Sequence, residues 1–444
     1  MRVLLVSTYE LGHQPVNLAR PAAQLRERGH EVRQLDTSID PWQVEWAEWA
    51  DRIAFSVPMH TAARLARELA TTVGAPTCCY GLYAHLCADV ADRTIGGEYD
   101  VELVEWVEGG VTGSTIDLGR PTASATPLPD RASLPPLERY THLVDGTELR
   151  VVGSVETTRG CAHTCRHCPV PVVYGGRVRV QDERSVLADV DQLVVGGATH
   201  LTFGDPDFLN APEHARRIVR AMHAAHPTVT FDCTVKVEHV LRHRDLWPEL
   251  AAQGCVFVVS AFESVDDATL ERLDKGHTTA EAAEAVELLR AHGIDVRPSF
   301  LPFTPWTTRE QLTDLLDFVH AHDLVGSVDP VQYTIRLLLP EGSLLLDHPE
   351  MAEHLGGWDA DRLGYSWAPA DPEMDELQLT LAALVEASLA RDDAITETYR
   401  LVRAAAGALP VDLTGVTTDR PRLSESWFCC AEPTTAQLGA VSAS

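Results

Sequence analysis

The sequence predicts an α/β protein, in which an N-terminal doubly wound parallel sheet is followed by a partial (β/α)6 barrel and a C-terminal helical and loop extension. Three observations predict it. Apolar strand-like runs alternate with amphipathic helical stretches over residues 1–115. A stretch rich in Pro, Ser and Thr, LGRPTASATPLPDRASLPPLERY, breaks the pattern within 116–150 and reads as a linker. From Val151 the alternation resumes through six strands, too few to close an eight-stranded barrel.

Each element follows from local pattern. RVLLV reads as a buried first strand, and Leu18 to Arg28 as an amphipathic helix stopped by Gly29. EVRQLDTS, RIAFSV and APTCCYGL supply the next three strands, with a helix around Thr61–Thr72. Ligands of such a sheet lie at the carboxyl ends of its strands, which places Thr8–Gln14 and Cys78–Tyr83 there. Barrel strands are expected over 151–157, 199–203, 228–235, 255–262, 294–301 and 328–337. Helices are expected between them over 183–195, 212–225, 238–253, 279–292 and 308–322. The barrel domain therefore spans 151–340, and 341–444 is an extension with helices over 373–391 and 394–407.

The chain has 444 residues and a formal net charge of −29, a surface that repels phosphate backbones and disfavours nucleic acid. No apolar run is long enough for a membrane span, and a cytoplasmic protein is expected. Only two lysines, Lys236 and Lys275, stand among many arginines, and both fall at predicted strand ends. Ten cysteines in a reducing compartment point to metal ligation or thiol chemistry rather than to disulfides.

Cys161, Cys165 and Cys168 lie in RGCAHTCRHCP, directly after the first barrel strand. This C-x3-C-x2-C spacing wraps three thiolates round one face of a 4Fe-4S cubane and leaves the fourth iron without a protein ligand. That iron can chelate the amino and carboxylate groups of S-adenosylmethionine (SAM) and pass an electron to its sulfonium. The competing reading is structural zinc, which needs a fourth ligand such as His163 or His167.

Strand, cysteine loop and six-strand barrel together resemble the radical SAM superfamily over about residues 150–340. The N-terminal sheet resembles its cobalamin-binding-domain class. The D-x-H-x-x-G motif that ligates cobalamin is missing from 1–115, so the likeness implies the domain's shape rather than a bound cobalamin. The superfamily places an aromatic residue before its third cysteine, near the adenine; here that position is His167. Its Gly-Gly-Glu stretch, which meets the SAM amino group, corresponds to Phe203-Gly204-Asp205-Pro206-Asp207, with Asp205 as the substitute. Glu263 and Lys275 are expected at the barrel mouth, and Arg336 in the lumen opposite a carboxylate of SAM or product. For Arg336 a salt bridge to a neighbouring helix is the alternative.

The ending Cys429-Cys430-Ala431-Glu432-Pro433 resembles the CUAEP/CCAEP-tail radical SAM proteins, and the blocks Ser7–Pro15 and Tyr80–Ala84 are similar to theirs. That family is similar to the radical SAM enzyme of arsinothricin biosynthesis. The resemblance implies transfer of the 3-amino-3-carboxypropyl group of SAM to a small-molecule or metalloid acceptor such as arsenite. Cys429 and Cys430 would hold the acceptor, with Cys78 or Cys79 as a third thiolate. A reductase, flavodoxin or ferredoxin would supply the electron. The alternatives are a 5′-deoxyadenosyl-radical methyltransferase or methylthiotransferase acting on a small molecule, and a non-catalytic thiol-based sensor of metal or metalloid.

Overall fold

The computed structural model describes residues 1–110 and 127–425. The first sheet contains β1 (Arg2–Ser7), β2 (Glu31–Asp36), β3 (Arg52–Ser56), β4 (Thr77–Tyr80) and β5 (Arg93–Ile95). All its pairings are parallel, in the order β2-β1-β3-β4-β5, the flavodoxin-like winding. Both faces are covered. Val3 and Leu5 join Ala54, Cys78 and Tyr80 in one apolar cluster, whereas Leu4 and Val6 join Phe55 and Cys79 in another. Strand geometry sends successive side chains to opposite faces, so a continuous apolar run fits a sheet buried on both sides.

The second sheet begins inside the segment expected as linker. β6 (His142–Asp145) and β7 (Glu148–Val155) form an antiparallel hairpin. β8 (Thr158–Gly160) and β9 (Val178–Val180) then frame the cysteine loop. β10 (His200–Phe203), β11 (Thr230–Thr234), β12 (Cys255–Glu263) and β13 (Asp295–Phe300) pair in parallel outward from β7. β14 (Leu355–Asp359) and β15 (Gly364–Trp367) form a hairpin in the extension, and β16 (Arg422–Leu423) returns to pair with β6. The sixth barrel strand is reduced to a parallel bridge, Phe303 to Arg336, after a 3-10 turn over Pro330–Thr334.

Leu201, Phe203, Phe231 and Cys233 face the surrounding helices within the largest apolar cluster. The residues alternating with them are polar and point into the barrel: His200 Nε2 and Thr202 Oγ1 reach Asp232 Oδ1 at 2.9 and 2.7 Å. The hydrophobic effect thus seals the outside of each strand and leaves the lumen to hydrogen bonds. The helix expected over 238–253 is split into Val237–Arg242 and Trp247–Ala252, with Pro248 in the first turn of the second.

Candidate active site

The cysteine loop starts from a backbone position that only glycine fills. Gly160 has φ +77°, and a Cβ there would lie 2.2 Å from the Arg177 carbonyl oxygen. The chain thereby turns off β8 and delivers Cys161 to the barrel mouth. Cys161 and Cys165 are buried, Cys168 is partly so, and none is in a disulfide. Asn210 Nδ2 lies 3.5 Å from Cys161 Sγ, and the Cys168 amide donates to the Cys165 carbonyl at 3.3 Å. Burial pushes the Cys161 thiol up, so without a metal it stays neutral.

β12 ends in a non-glycine residue in the left-handed region. Glu263 has φ +63°, next to a register irregularity between Ala261 and Glu263. Such strain costs about 1–3 kcal/mol and persists only where the surroundings hold it. Here two donors hold it: His167 Nε2 at 3.1 Å and Lys275 Nζ at 3.2 Å both meet Glu263 Oε1. All three residues are buried. Burial opposes the charge on Glu263, but Lys275 and His167 bring its carboxyl down to about 2. Burial likewise opposes the charge on Lys275, yet Glu263 and Cys165 raise it, so the ammonium persists. A buried cation therefore stands beside the cysteine loop. The fold brings His167, Glu263 and Lys275 together, a convergence that their separate places in the sequence do not show.

Two expectations are corrected. Asp205 is committed to the backbone and side chains of the preceding turn. Its Oδ1 accepts from Thr157 Oγ1 at 2.8 Å and Thr158 Oγ1 at 2.5 Å, and its Oδ2 accepts from the Thr157 amide at 3.1 Å. It pins the start of the cysteine loop instead of presenting a carboxylate to an amine. Arg336 forms an ion pair with Asp375 of the helix Glu373–Ala390, donates to the Trp367 carbonyl at 2.7 Å and stacks 3.5 Å over that ring. A cation placed on a helix carboxylate and an indole face is a packing device of the extension. Gly204, between Phe203 and Asp205, donates its amide to the Val155 carbonyl at 2.9 Å and leaves ordinary contact distances around its Cα.

Asp205 has a consequence for pH. Burial raises its carboxyl to about 7, against the three hydrogen bonds that favour the charge. The folded state then holds a proton that an unfolded carboxyl releases near pH 4. The stabilisation is complete below that value and lost as pH rises towards 7. Between pH 5 and 7 the protein should lose on the order of 2–3 kcal/mol that the Asp205→Asn variant does not lose. Chemical denaturation of both proteins at the two pH values checks this; parallel pH profiles would refute it.

Sequence reasoning missed Asn210, His163, Asp207 and His239 as a group around the loop. His163 Nε2 lies 2.9 Å from Asp207 Oδ2, and His239 packs 4.3 Å from the His163 ring. The only available signal was the placement of each after a barrel strand. Cys78 and Cys79 lie fully buried on β4, one on each face, and burial pushes the Cys78 thiol up. They serve as small apolar core residues, not as an exposed third thiolate. Cys429 and Cys430 lie outside the described residues.

The three loop cysteines suit a cluster better than zinc. A tetrahedral zinc with bonds near 2.3 Å would draw its sulfurs to within about 3.8 Å of one another. Among the described residues, the donor set that converges within 4.8 Å is His163, Asp207 and His239, not the cysteines. Residues 155–319 match the family profile of the Radical SAM superfamily. Residues 155–319 form a radical SAM domain. Radical SAM proteins use a 4Fe-4S cluster and SAM, and the three cysteines outside any disulfide, the Asn210 donor and the Lys275 cation fit such a cluster.

Bacteriochlorophyllide d C-8(2)-methyltransferase of Chlorobaculum tepidum is 25% identical over 211 residues, covering 45% of this chain and 45% of that protein. The hopanoid C-3 methylase of Methylococcus capsulatus is 21% identical over 320 residues, covering 66% and 62%. The chain thus spans about half to two thirds of the length of these curated relatives. In fold it is similar to the cobalamin-dependent SAM radical enzyme OxsB (TM-score 0.66, 14% identity, 87% of this chain and 67% of that one). It is also similar to the radical SAM methyltransferase TsrM of Kitasatospora setae (TM-score 0.58, 20% identity, 72% and 71%). At these identities the likeness concerns the fold.

A histidine ligand to cobalt from the loop after β1 does not fit this chain. The loop lacks D-x-H-x-x-G, and burial holds its His13 down to about 4, within the electrostatic reach of Asp232 and His200 of the barrel. Across the crevice between the sheets, Arg159 Nη1 binds Asp100 Oδ2 at 2.7 Å and Arg159 Nη2 meets Tyr99 Oη at 3.1 Å. No helix of the described residues is long and apolar enough to cross a membrane.

Proposed function

We propose that this chain is a radical SAM transferase that passes a SAM-derived carbon group to a small acceptor. The observation that carries this is the buried His167–Glu263–Lys275 set at the mouth of the barrel, beside three cysteines that form no disulfide. When bound, the 4Fe-4S cluster supplies the open iron that chelates SAM and the electron that breaks an S–C bond. The chain's own residues orient and shield. Lys275 and His167 fix the Glu263 carboxylate, whose free oxygen can accept from the amine or ribose hydroxyls of SAM. Lys275 also sets a positive charge against the thiolates of Cys165 and Cys168.

For the acceptor, the CCAEP-tail resemblance favours the thiols Cys429 and Cys430 holding trivalent arsenic, with 3-amino-3-carboxypropyl as the group transferred. The position of the tail's root supports this. Tyr9 Oη donates to Glu425 Oε1 at 2.6 Å, and the Glu425 amide donates to Thr141 Oγ1 at 3.1 Å. Glu425 also packs against Gly12, in the loop after β1. Four peptide units limit Cys429 to about 14 Å from Glu425. Methyl transfer is the second reading, favoured by the names of the two curated relatives.

The nucleoside product separates them. The reconstituted protein is given SAM and dithionite, with and without arsenite. Methylthioadenosine that increases with arsenite supports aminocarboxypropyl transfer, and S-adenosylhomocysteine or 5′-deoxyadenosine supports the methyl or ordinary radical route. No nucleoside at all, from a protein holding zinc but no iron, would end the enzymatic reading. Cys430→Ser should weaken the arsenite response and leave the cluster spectrum intact.

A further inference from the structure

Beside the cysteine loop lies a second convergent set of donors, which the cluster does not use. His163 comes from the loop itself, between Cys161 and Cys165; Asp207 follows β10; and His239 lies on the helix Val237–Arg242. His163 Nε2 and His239 Nδ1 approach one carboxylate oxygen, Asp207 Oδ2, at 2.9 and 3.0 Å. All three donor atoms lie within 4.8 Å of one another. Their side chains are at most 10% exposed.

Hydrogen bonding explains only part of this arrangement. His163 Nε2 bonds to Asp207, and Lys236 Nζ stands 3.4 Å from the other ring nitrogen. His239 Nδ1 is different. Although 3.0 Å from the carboxylate, it is buried and makes no hydrogen bond among the described residues, because its ring does not aim an N–H at the oxygen. A buried polar atom left in that state costs about 1–3 kcal/mol and calls for a partner. A buried imidazole nitrogen left without a hydrogen bond beside a carboxylate and a second imidazole is available as a ligand. Three cis donors about 2.1 Å from one octahedral ion stand about 3.0 Å apart; the two histidine nitrogens stand 2.9 and 3.0 Å from the Asp207 oxygen and within 4.8 Å of each other.

We propose that His163, Asp207 and His239 bind one divalent first-row transition ion, at a site separate from the cluster. Two imidazoles and one carboxylate with open positions form a donor set suited to Fe(II). Ligation through Nε2 moves the single proton of the neutral His163 ring to Nδ1. There Glu238 Oε2, 3.8 Å away, is the acceptor, and Lys236 swings from Nδ1 to Glu238, already 3.6 Å from it. No proton leaves the ring. The ion would clip the cysteine loop to the connections after β10 and β11, fixing the loop from outside the cluster.

Mn(II) is the probe, because it suits imidazole and carboxylate donors and takes thiolates poorly. The full chain with its cluster reconstituted is titrated with Mn(II), and free Mn(II) is counted from its solution EPR signal. One Mn(II) per chain is expected, with affinity at least tenfold weaker in His239→Ala and in His163→Gln. His243→Ala, which removes a ring packed edge-on against His239 but no ligand, should bind as the wild type does. Wild-type protein that binds no Mn(II), or His239→Ala binding it equally well, overturns the site. Iron content and nucleoside product are read on the same samples. Their loss with Mn(II) binding retained would count against the transferase reading and leave the ion site standing.

Discussion

Replacing Cys161, Cys165 or Cys168 by alanine is expected to remove the iron–sulfur absorbance and all SAM cleavage. In the proposed cluster each cysteine would supply one of three ligands, and two thiolates would no longer hold a cubane on the protein. Cys233→Ala is the matching control. Cys233 is fully buried on β11 among apolar side chains, so its removal costs packing but no ligand. The measurements are iron and sulfide per chain, the reduced-state EPR signal and the nucleoside product. If a loop variant kept a full complement of iron, the assignment of the cluster to this loop would be wrong. If Cys233→Ala lost its iron while remaining folded, the loop would not be the whole site.

The second large effect is expected at Lys275. Lys275→Met leaves the Glu263 carboxylate buried with His167 as its remaining partner. Removing one member of a buried charged pair costs about 3–5 kcal/mol, most of it the desolvation of the charge left behind. Glu263→Gln alone leaves the ammonium buried in the same way. The double variant removes both charges, so its loss should fall short of the sum of the single losses by about 2 kcal/mol or more. Urea denaturation of the four proteins measures this coupling. Additive losses would show that the two groups do not act as a pair. SAM binding should weaken in both single variants, because the left-handed backbone at Glu263 is held in place by these two donors.

Much of the fold was legible because it rests on local periodicity. The helices Glu183–Val195 and Pro212–Ala225 lie where their apolar spacing and terminal residues predict. Asp182 caps the first by accepting from the Ser185 amide, and Pro212 opens the second at its first turn. The sixth barrel strand was not legible, because the alternation of Val331, Tyr333 and Ile335 suits a 3-10 turn packed under the extension equally well. That choice was made by Tyr333, which packs against Tyr399 of the helix Ile395–Ala406, a contact far away in sequence. The hairpin β6–β7 was hidden for a similar reason. Its first strand sits next to a proline-rich run, and its partner strand β16 comes from the end of the described chain.

The candidate site divides along the same line. The spacing of Cys161, Cys165 and Cys168 was readable because the proposed cluster loop is a local object, with all three cysteines within eight consecutive residues. The sequence by itself also determined that the first sheet and the barrel strands from β7 onward are wound by helices, since apolar runs and amphipathic stretches encode burial directly. Only the tertiary structure decided which of two neighbouring carboxylates serves which purpose. Asp205 turns back to Thr157 and Thr158, whereas Asp207, two residues on, meets His163 and His239. It alone decided that Arg336 belongs to Asp375 and Trp367, and that Lys275 and His167 converge on Glu263. A side chain's charge is written in the sequence, but its partner is chosen where burial makes an unpaired charge too costly to leave alone, and burial is a property of the assembled fold.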